Sequence, residues 1–266
     1  MNTKKYKGAV FFDVDGTLID ERIGVSVPTD STKEAVALLK QNGYLTGVAS
    51  GRAKCYMCDL EIDFDCFVTC NGAVAEIDGD IIHMDYIEND NLKKLVAYLD
   101  KNDFGYALET RDVCYYGEKN KDEFLGMMIR SKLSTEHFVK LESLDNLKVC
   151  KIMITFKTME AFDKLFQEFG GEFMIAQHHD DFEADINLKG VSKAKGIQKV
   201  IEHIGVDLSD TYAFGDDSND VQMMNTVGFG IAMTPHSPLL DGIVKKVAGG
   251  VADGGIYNAL KEIGLI

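Results

Sequence analysis

Ala9-Val10-Phe11-Phe12 is apolar at every position and runs straight into Asp13-Val14-Asp15-Gly16-Thr17. A strand without polar alternation has to be buried on both faces, which is the condition of a central parallel strand whose C-terminal end carries the polar residues. The pattern recurs. Ser31 to Gln41 puts Ala35, Leu38 and Leu39 on one helical face, Gly43 stops the helix, and Tyr44 to Ala49 reads as the next strand. A second helical stretch from about Ala53 and a third strand at Cys66 to Cys70 continue this βαβ rhythm of an α/β fold.

The rhythm then changes. Asp78-Gly79 between Val74-Ala75-Glu76-Ile77 and Ile81-Ile82-His83 is a hairpin signal. Beyond it the chain reads as helix (Leu92 to Lys101), strand pair (Tyr106 to Tyr116), helix (Phe124 to Lys132), strand (Val149 to Phe156), helix (Met159 to Phe169) and strand pair (Phe173 to Ile186). A helix at Ser192 to Ile204 and a strand at Thr211 to Phe214, ending in Gly215-Asp216, restore the first rhythm. The expected organisation is therefore a core of residues 1–83 and 188–266 bracketing an inserted α+β domain of residues 84–187. Three prolines and no low-complexity tract imply short joins between them.

Lys and Arg number 28 against 43 Asp and Glu, a net charge of −15. Such an excess argues against nucleic acid or a membrane surface as partner, since both need clustered cations, and a small anionic substrate would need a local cation. The apolar run behind the basic N-terminal residues is too short for a signal peptide or a membrane span, so a cytoplasmic location is expected. Six cysteines then read as reduced thiols. Cys55, Cys58, Cys66 and Cys70 have spacing compatible with zinc. Placed on a helix face and in a buried strand, they read better as small core hydrophobes.

Asp13 and Asp15, two residues apart in extended chain, point to one side of the strand end, and adjacent carboxylates push their pKa values apart. With a metal on Asp13, Asp15 is free to hold a proton. A calcium loop starting at Asp13 fails, because Leu18 and Gly24 stand where its Gly and Glu anchors belong. Ser50-Gly51-Arg52 offers a hydroxyl and backbone N–H groups at a helix start, either as a phosphate site or as a simple cap. In Gly215-Asp216-Asp217-Ser218-Asn219-Asp220, Asp216 and Asp220 can reach the crevice that Asp13 faces, and three carboxylates suit a hard ion such as Mg²⁺. Asp217 reads as solvated. Lys193, after Ser192 at a helix start, is a candidate for the missing positive charge, with Lys189 and Lys195 as competitors.

In order, Asp13 to Thr17, Ser50 to Arg52, Gly190-Val191-Ser192-Lys193 and Gly215 to Asp220 resemble the four motifs of the haloacid dehalogenase-like superfamily, and its Cof-type phosphatases most of all. Asn71-Gly72-Ala73 and Asp253-Gly254-Gly255 resemble further Cof-type segments, so the likeness spans nearly the whole chain. The resemblance implies a Rossmannoid parallel-sheet core with an inserted α+β cap. It implies Asp13 as nucleophile, Asp15 as general acid and then base, Ser50 on the phosphoryl group and Lys193 beside them. Mg²⁺ would be held by Asp13, the Asp15 backbone carbonyl and Asp216, with Asp220 supporting its shell. Thr17, Gly51, Arg52 and Asn219 fall on the phosphate side, and Asn71 would touch substrate. Ser50 stands for a commoner Thr and Ala194 for a frequent Gly, and Met233-Thr234-Pro235-His236 replaces a more typical Gly-Asn-Ala stretch.

The expected activity is Mg²⁺-dependent hydrolysis of a small phosphorylated metabolite through an aspartyl phosphate. A phosphomutase on the same scaffold and a noncatalytic phosphometabolite-binding regulator are the alternatives. Sugar phosphates, FMN and pyridoxal phosphate all remain open as substrates. The insert, read as a lid, offers Glu109, Arg111, Tyr115, His178 and His179 as contacts to the leaving group.

Overall fold

The computed structural model describes residues 6–57, 59–119, 121–130, 136–178 and 182–266. β1 (Gly8–Phe12) is buried at every residue, as its unbroken apolar run requires. α1 (Asp30–Gln41) starts at Thr29, whose hydroxyl accepts the Thr32 N–H, and buries Ala35, Val36 and Leu39. β2 (Tyr44–Ala49), β3 (Cys66–Thr69), β4 (Val74–Ile77) and β5 (Asp80–Met84) follow, with Asp78 and Gly79 both at positive φ in the turn between the last two. The helix expected from about Ala53 does not form: Lys54–Tyr56 is a single 3-10 turn without a side-chain cap. Tyr56 is drawn inward there to a polar partner, and that tertiary contact overrides the weak helical pattern.

The insert contains α2 (Asn89–Lys101), β6 (Gly105–Glu109), β7 (Cys114–Tyr116), α3 (Lys121–Arg130), β8 (Phe138–Lys140), β9 (Lys151–Thr155), α4 (Met159–Phe169), β10 (Phe173–Gln177) and β11 (Glu183–Leu188). The chain then returns through α5 (Lys193–Ile204), β12 (Thr211–Gly215), α6 (Val221–Thr226), β13 (Phe229–Ala232), β14 (Lys246–Val247) and α7 (Gly255–Glu262). β8 was not foreseen. Its three residues, with two of them exposed, carry no periodic signal, and its pairing with β7 defines it as a strand.

The chain divides into two compact units: Met1–Gly51, Asp59–His83 and Ser192–Ile266 in one, Arg52–Cys58 and Met84–Val191 in the other. In the first, the described residues form an eight-stranded sheet ordered β14-β13-β12-β1-β2-β3-β4-β5. It is parallel from β14 to β3, and β3 and β4 pair antiparallel. This is a Rossmannoid core. Ala9 and Phe11 pack with Ile197, Val200 and Ile201 of α5 and with Met223 and Met224 of α6, while α1 packs against α7. Phe12 stacks on Phe214 with ring centroids 5.3 Å apart, locking β1 and β12 level just behind their polar ends. Truncating either ring would cost about 3–5 kcal/mol.

In the second unit, the described residues form a six-stranded sheet ordered β10-β11-β9-β6-β7-β8, antiparallel except for β7 with β8. One face is apolar: Leu108, Ile152, Ile154 and Ile186 pack with Leu92, Leu95 and Leu99 of α2 and Leu165 of α4. Strand alternation turns Glu109, Lys151, Asp185 and Asn187 to the other face, and all four are nevertheless buried. An α+β cap with one apolar and one polar face is the result.

Candidate active site

Asp13, Ser50 and Asp216 follow directly on β1, β2 and β12, neighbouring strands in register: Phe12 lies opposite Phe214 on one side and Val48 on the other. The Asp13 N–H donates to the Phe214 carbonyl at 2.9 Å, carrying the ladder one residue past the strand. Gly16, at φ +79°, lets the chain turn back across this end, and a Cβ there would stand 2.1 Å from Asp216 Oδ2. Side chains from distant parts of the sequence thereby meet.

Carboxylate oxygens of Asp13, Asp216 and Asp220 lie within 4.8 Å of one another, and all three residues are buried. Lys193, in the first turn of α5, is 2 % exposed, and its Nζ donates to Oδ1 of Asp13 and Oδ1 of Asp220, both at 2.7 Å. Gly72 makes this possible, because at φ +98° a Cβ would stand 2.0 Å from the Ser192 carbonyl oxygen that opens the helix. Asp220 also takes the N–H groups of Asp216 at 2.9 Å and Asp217 at 3.2 Å on its Oδ2. It holds the loop as well as the charge.

Burial would lower the Lys193 pKa, but the charges of Asp13 and Asp220 and the hydrogen bonds to both raise it above the ordinary lysine value, so the ammonium stays charged. Burial raises Asp13 well above the usual carboxylate range, Lys193 opposes this, and Asp220, Asp15 and Asp216 add to it. Asp216 is pushed up to about 7, by burial first and then by the charges of Asp220 and Asp217. Three carboxylates against one ammonium leave unbalanced negative charge in a buried, oxygen-only donor set, which fits a hard divalent cation such as Mg²⁺.

Asp15 is exposed at the turn beyond Asp13, and Asn219 is exposed in the loop before Asp220. Thr17 is fully buried and donates its hydroxyl to Asp216 Oδ1 at 3.4 Å, beside the acid cluster. Ser50 is buried, and the Asn71 N–H donates to its carbonyl at 3.1 Å. Asn71 adopts φ 58°, ψ 24°, and its Oδ1 stands 2.8 Å from where a Cβ on Gly51 would be. Arg52 groups with the second unit, so Ser50-Gly51-Arg52 divides after Gly51. Asp217, read as solvated, is half-buried and accepts the Ser218 N–H at 2.6 Å. Arg22 went unnoticed in the sequence. It forks onto Asp20 at 2.8 and 3.0 Å, and its charge reaches Asp216.

The sequence profile of haloacid dehalogenase-like hydrolases matches residues 10–260. The chain belongs to this family. Among curated relatives of this haloacid dehalogenase-like hydrolase is the "Putative phosphatase YkrA" of Bacillus subtilis (strain 168), 29% identical and covering 97% of this chain and 98% of that one. A hypothetical protein from Geobacillus kaustophilus HTA426 is 29% identical, with a TM-score of 0.86 over 98% of this chain and 100% of its own. The subclass IIB sugar phosphatase BT4131 is 25% identical, with a TM-score of 0.82 over 97% and 100%. A phosphoryl-transfer hydrolase of this superfamily, with an aspartate cluster placed to ligate a divalent metal, is what fold and site together support. Among the described residues, no helix is long and apolar enough to cross a membrane.

The cap of this hydrolase has its own polar centre. Tyr56 donates its hydroxyl to Glu109 Oε1 at 3.0 Å, and Lys151 Nζ lies 3.2 Å from both Glu109 Oε1 and Asp185 Oδ2. His178 Nε2 is 3.3 Å from Asp185 Oδ1. Burial, opposed by the Lys151 charge, pushes Glu109 up to about 7, and Oε2 of this carboxyl is buried without a hydrogen-bond partner. Glu109 is thus bound into the cap interior. Tyr115 packs on the opposite, apolar face of the sheet. Arg111 is half-buried and lies 3.4 Å from Asp112, and His178 is also half-buried. His179 and Cys58 lie outside the described residues. Cys66 and Cys70 are fully buried, as small core residues should be.

Proposed function

We propose that the protein is a Cof-type phosphatase that hydrolyses a small phosphorylated metabolite, such as a sugar phosphate, through an aspartyl phosphate on Asp13. The observation that carries this reading is the pair of 2.7 Å contacts from Lys193 to Asp13 and Asp220 inside the three-carboxylate cluster. A cation and a carboxylate nucleophile at one strand end are parts that phosphoryl transfer through an aspartyl phosphate uses. The likeness to a sugar phosphatase supports the substrate class.

The Asp13 carboxylate attacks phosphorus in line, a bond forms from its oxygen, and the bond from phosphorus to the leaving oxygen breaks. Asp15, exposed beside it, protonates that oxygen and then takes a proton from the water that cleaves the aspartyl phosphate. Thr17, Ser50, Gly51 and Asn219 line the phosphate side and Asn71 touches the rest of the substrate, while Lys193 balances charge on Asp13 and on the phosphoryl oxygens. Asp13, the Asp15 carbonyl and Asp216, supported by Asp220, would hold Mg²⁺, which when bound would supply further charge neutralisation. Residues 1–83 and 188–266 carry this chemistry, and residues 84–187 act as the substrate-selecting cap.

A panel of phosphorylated metabolites, assayed for phosphate release with Mg²⁺ and with chelator, tests the proposal together with peptide mapping for a hydroxylamine-labile phosphate on Asp13. Release of phosphate without isomerisation of a phosphosugar separates the hydrolase from a phosphomutase. Ligand binding without any turnover across the panel would leave the regulator reading standing and sink the enzyme.

A further inference from the structure

Cys55 sits half-buried on the 3-10 turn Lys54–Tyr56, and its Sγ lies 3.2 Å from the Sγ of Cys114, a buried residue of β7. Both belong to the cap unit and stand 59 positions apart in the chain. A disulfide needs an S–S separation of about 2.05 Å. The remaining shift is about 1 Å, and the turn that carries Cys55 has no side-chain cap to hold it. A partly exposed thiol beside a second thiol is the arrangement of peroxide-reactive cysteine pairs.

The segment that carries Cys55 leaves the core unit immediately after Gly51. It is already held to the cap by the hydroxyl of Tyr56 on Glu109 at 3.0 Å. We propose that Cys55 and Cys114 form a modification site at which a hydroperoxide closes a reversible disulfide, fastening the 52–57 segment covalently to β7. Cys55 sulfur attacks the peroxide, the O–O bond breaks, and a sulfenic acid and one water form. Cys114 sulfur then attacks the sulfenic sulfur, the S–O bond breaks, the S–S bond forms and a second water leaves. Two thiols are oxidised and one hydrogen peroxide is reduced to two waters.

The test treats the full-length, folded protein with stoichiometric hydrogen peroxide, then alkylates residual thiols and maps peptides without reduction. The expected result is a linked Cys55–Cys114 peptide pair that dithiothreitol reverses and that Cys55→Ser and Cys114→Ala both abolish. Limited trypsin digestion reads the fastening: cleavage after Arg52 and Lys54 should slow severalfold in the oxidised wild type and stay unchanged in peroxide-treated Cys55→Ser. Retention of both thiols, conversion of Cys55 to a sulfinic or sulfonic acid, or its pairing with Cys58 instead would overturn the proposal. So would equal trypsin cleavage of the oxidised and reduced wild type.

Discussion

Nζ of Lys193 stands 2.7 Å from Oδ1 of Asp13, with both side chains buried, so the carboxylate proposed to attack phosphorus is held by a cation from the first turn of α5. Lys193→Met keeps the bulk and deletes the charge. Losing one partner of a buried ion pair costs about 3–5 kcal/mol, and losing a cation at the developing charge lowers kcat by roughly 10²–10³-fold. Urea unfolding should show the larger stability loss in chelator and a smaller one in Mg²⁺, since a bound cation replaces part of the missing charge. Equal losses in both conditions would argue against the shared electrostatic role.

Asp13→Asn should reduce turnover by roughly 10⁴-fold or more, because an amide is a poor nucleophile. Rapid-quench experiments with the variant should find no phosphate on the residue 13 peptide. Asp15→Asn should still accept phosphate from an activated ester, whose leaving group needs no proton, and hydrolyse the phosphoenzyme slowly. An Asp15→Asn variant that loses phosphorylation equally with activated and unactivated esters contradicts the acid role.

Exhaustive chelation should abolish activity, because Asp13, Asp216 and Asp220 then repel a phosphate dianion by more than Lys193 offsets. Added Mg²⁺ should restore the rate, and Ca²⁺ should restore little of it, its longer and looser coordination misplacing the attacking oxygen. Full activity in the chelated enzyme would remove the metal from the scheme.

Glu109, raised from 4.5 to about 7, ties cap stability to pH. A carboxyl with a raised pKa binds its proton more tightly in the folded chain than in the unfolded one. Its contribution is therefore complete below pH 4.5 and is lost as the pH climbs toward 7, a change of about 3 kcal/mol. Glu109→Gln keeps the neutral shape and should flatten this slope when urea midpoints are compared across the window. Parallel slopes for wild type and variant would show that Glu109 does not carry the effect.

Arg111→Ala and His178→Ala change polar, half-buried cap residues. Each should lower kcat/KM for the preferred metabolite about tenfold while leaving hydrolysis of a small activated phosphate ester nearly intact, because that ester barely uses remote binding energy. Steady-state kinetics on both substrates decides it, and equal loss on the two would end the division of labour between cap and core.

The local signals were legible in the chain itself. The all-apolar run before Asp13 reads as a buried strand, and the polar residues beyond β1, β2 and β12 marked one end of the sheet before any contact was known. The acid cluster was readable for the same reason: a register of parallel strands brings their C-terminal ends level whatever the loops do. Which groups neutralise which was decided in three dimensions. Lys189, Lys193 and Lys195 are alike in sequence, and the close approach of Gly72 to Ser192 helps set Lys193 against Asp13 and Asp220. That Glu109 is buried against Tyr56 and Lys151 could not be read from the strand pattern. Cys55 looked like a helical core residue until the turn at Lys54–Tyr56 set it beside Cys114. Periodicity reports which face of an element avoids water. Pairing between side chains far apart in the chain depends on how those faces are brought together, and only the folded structure contains that.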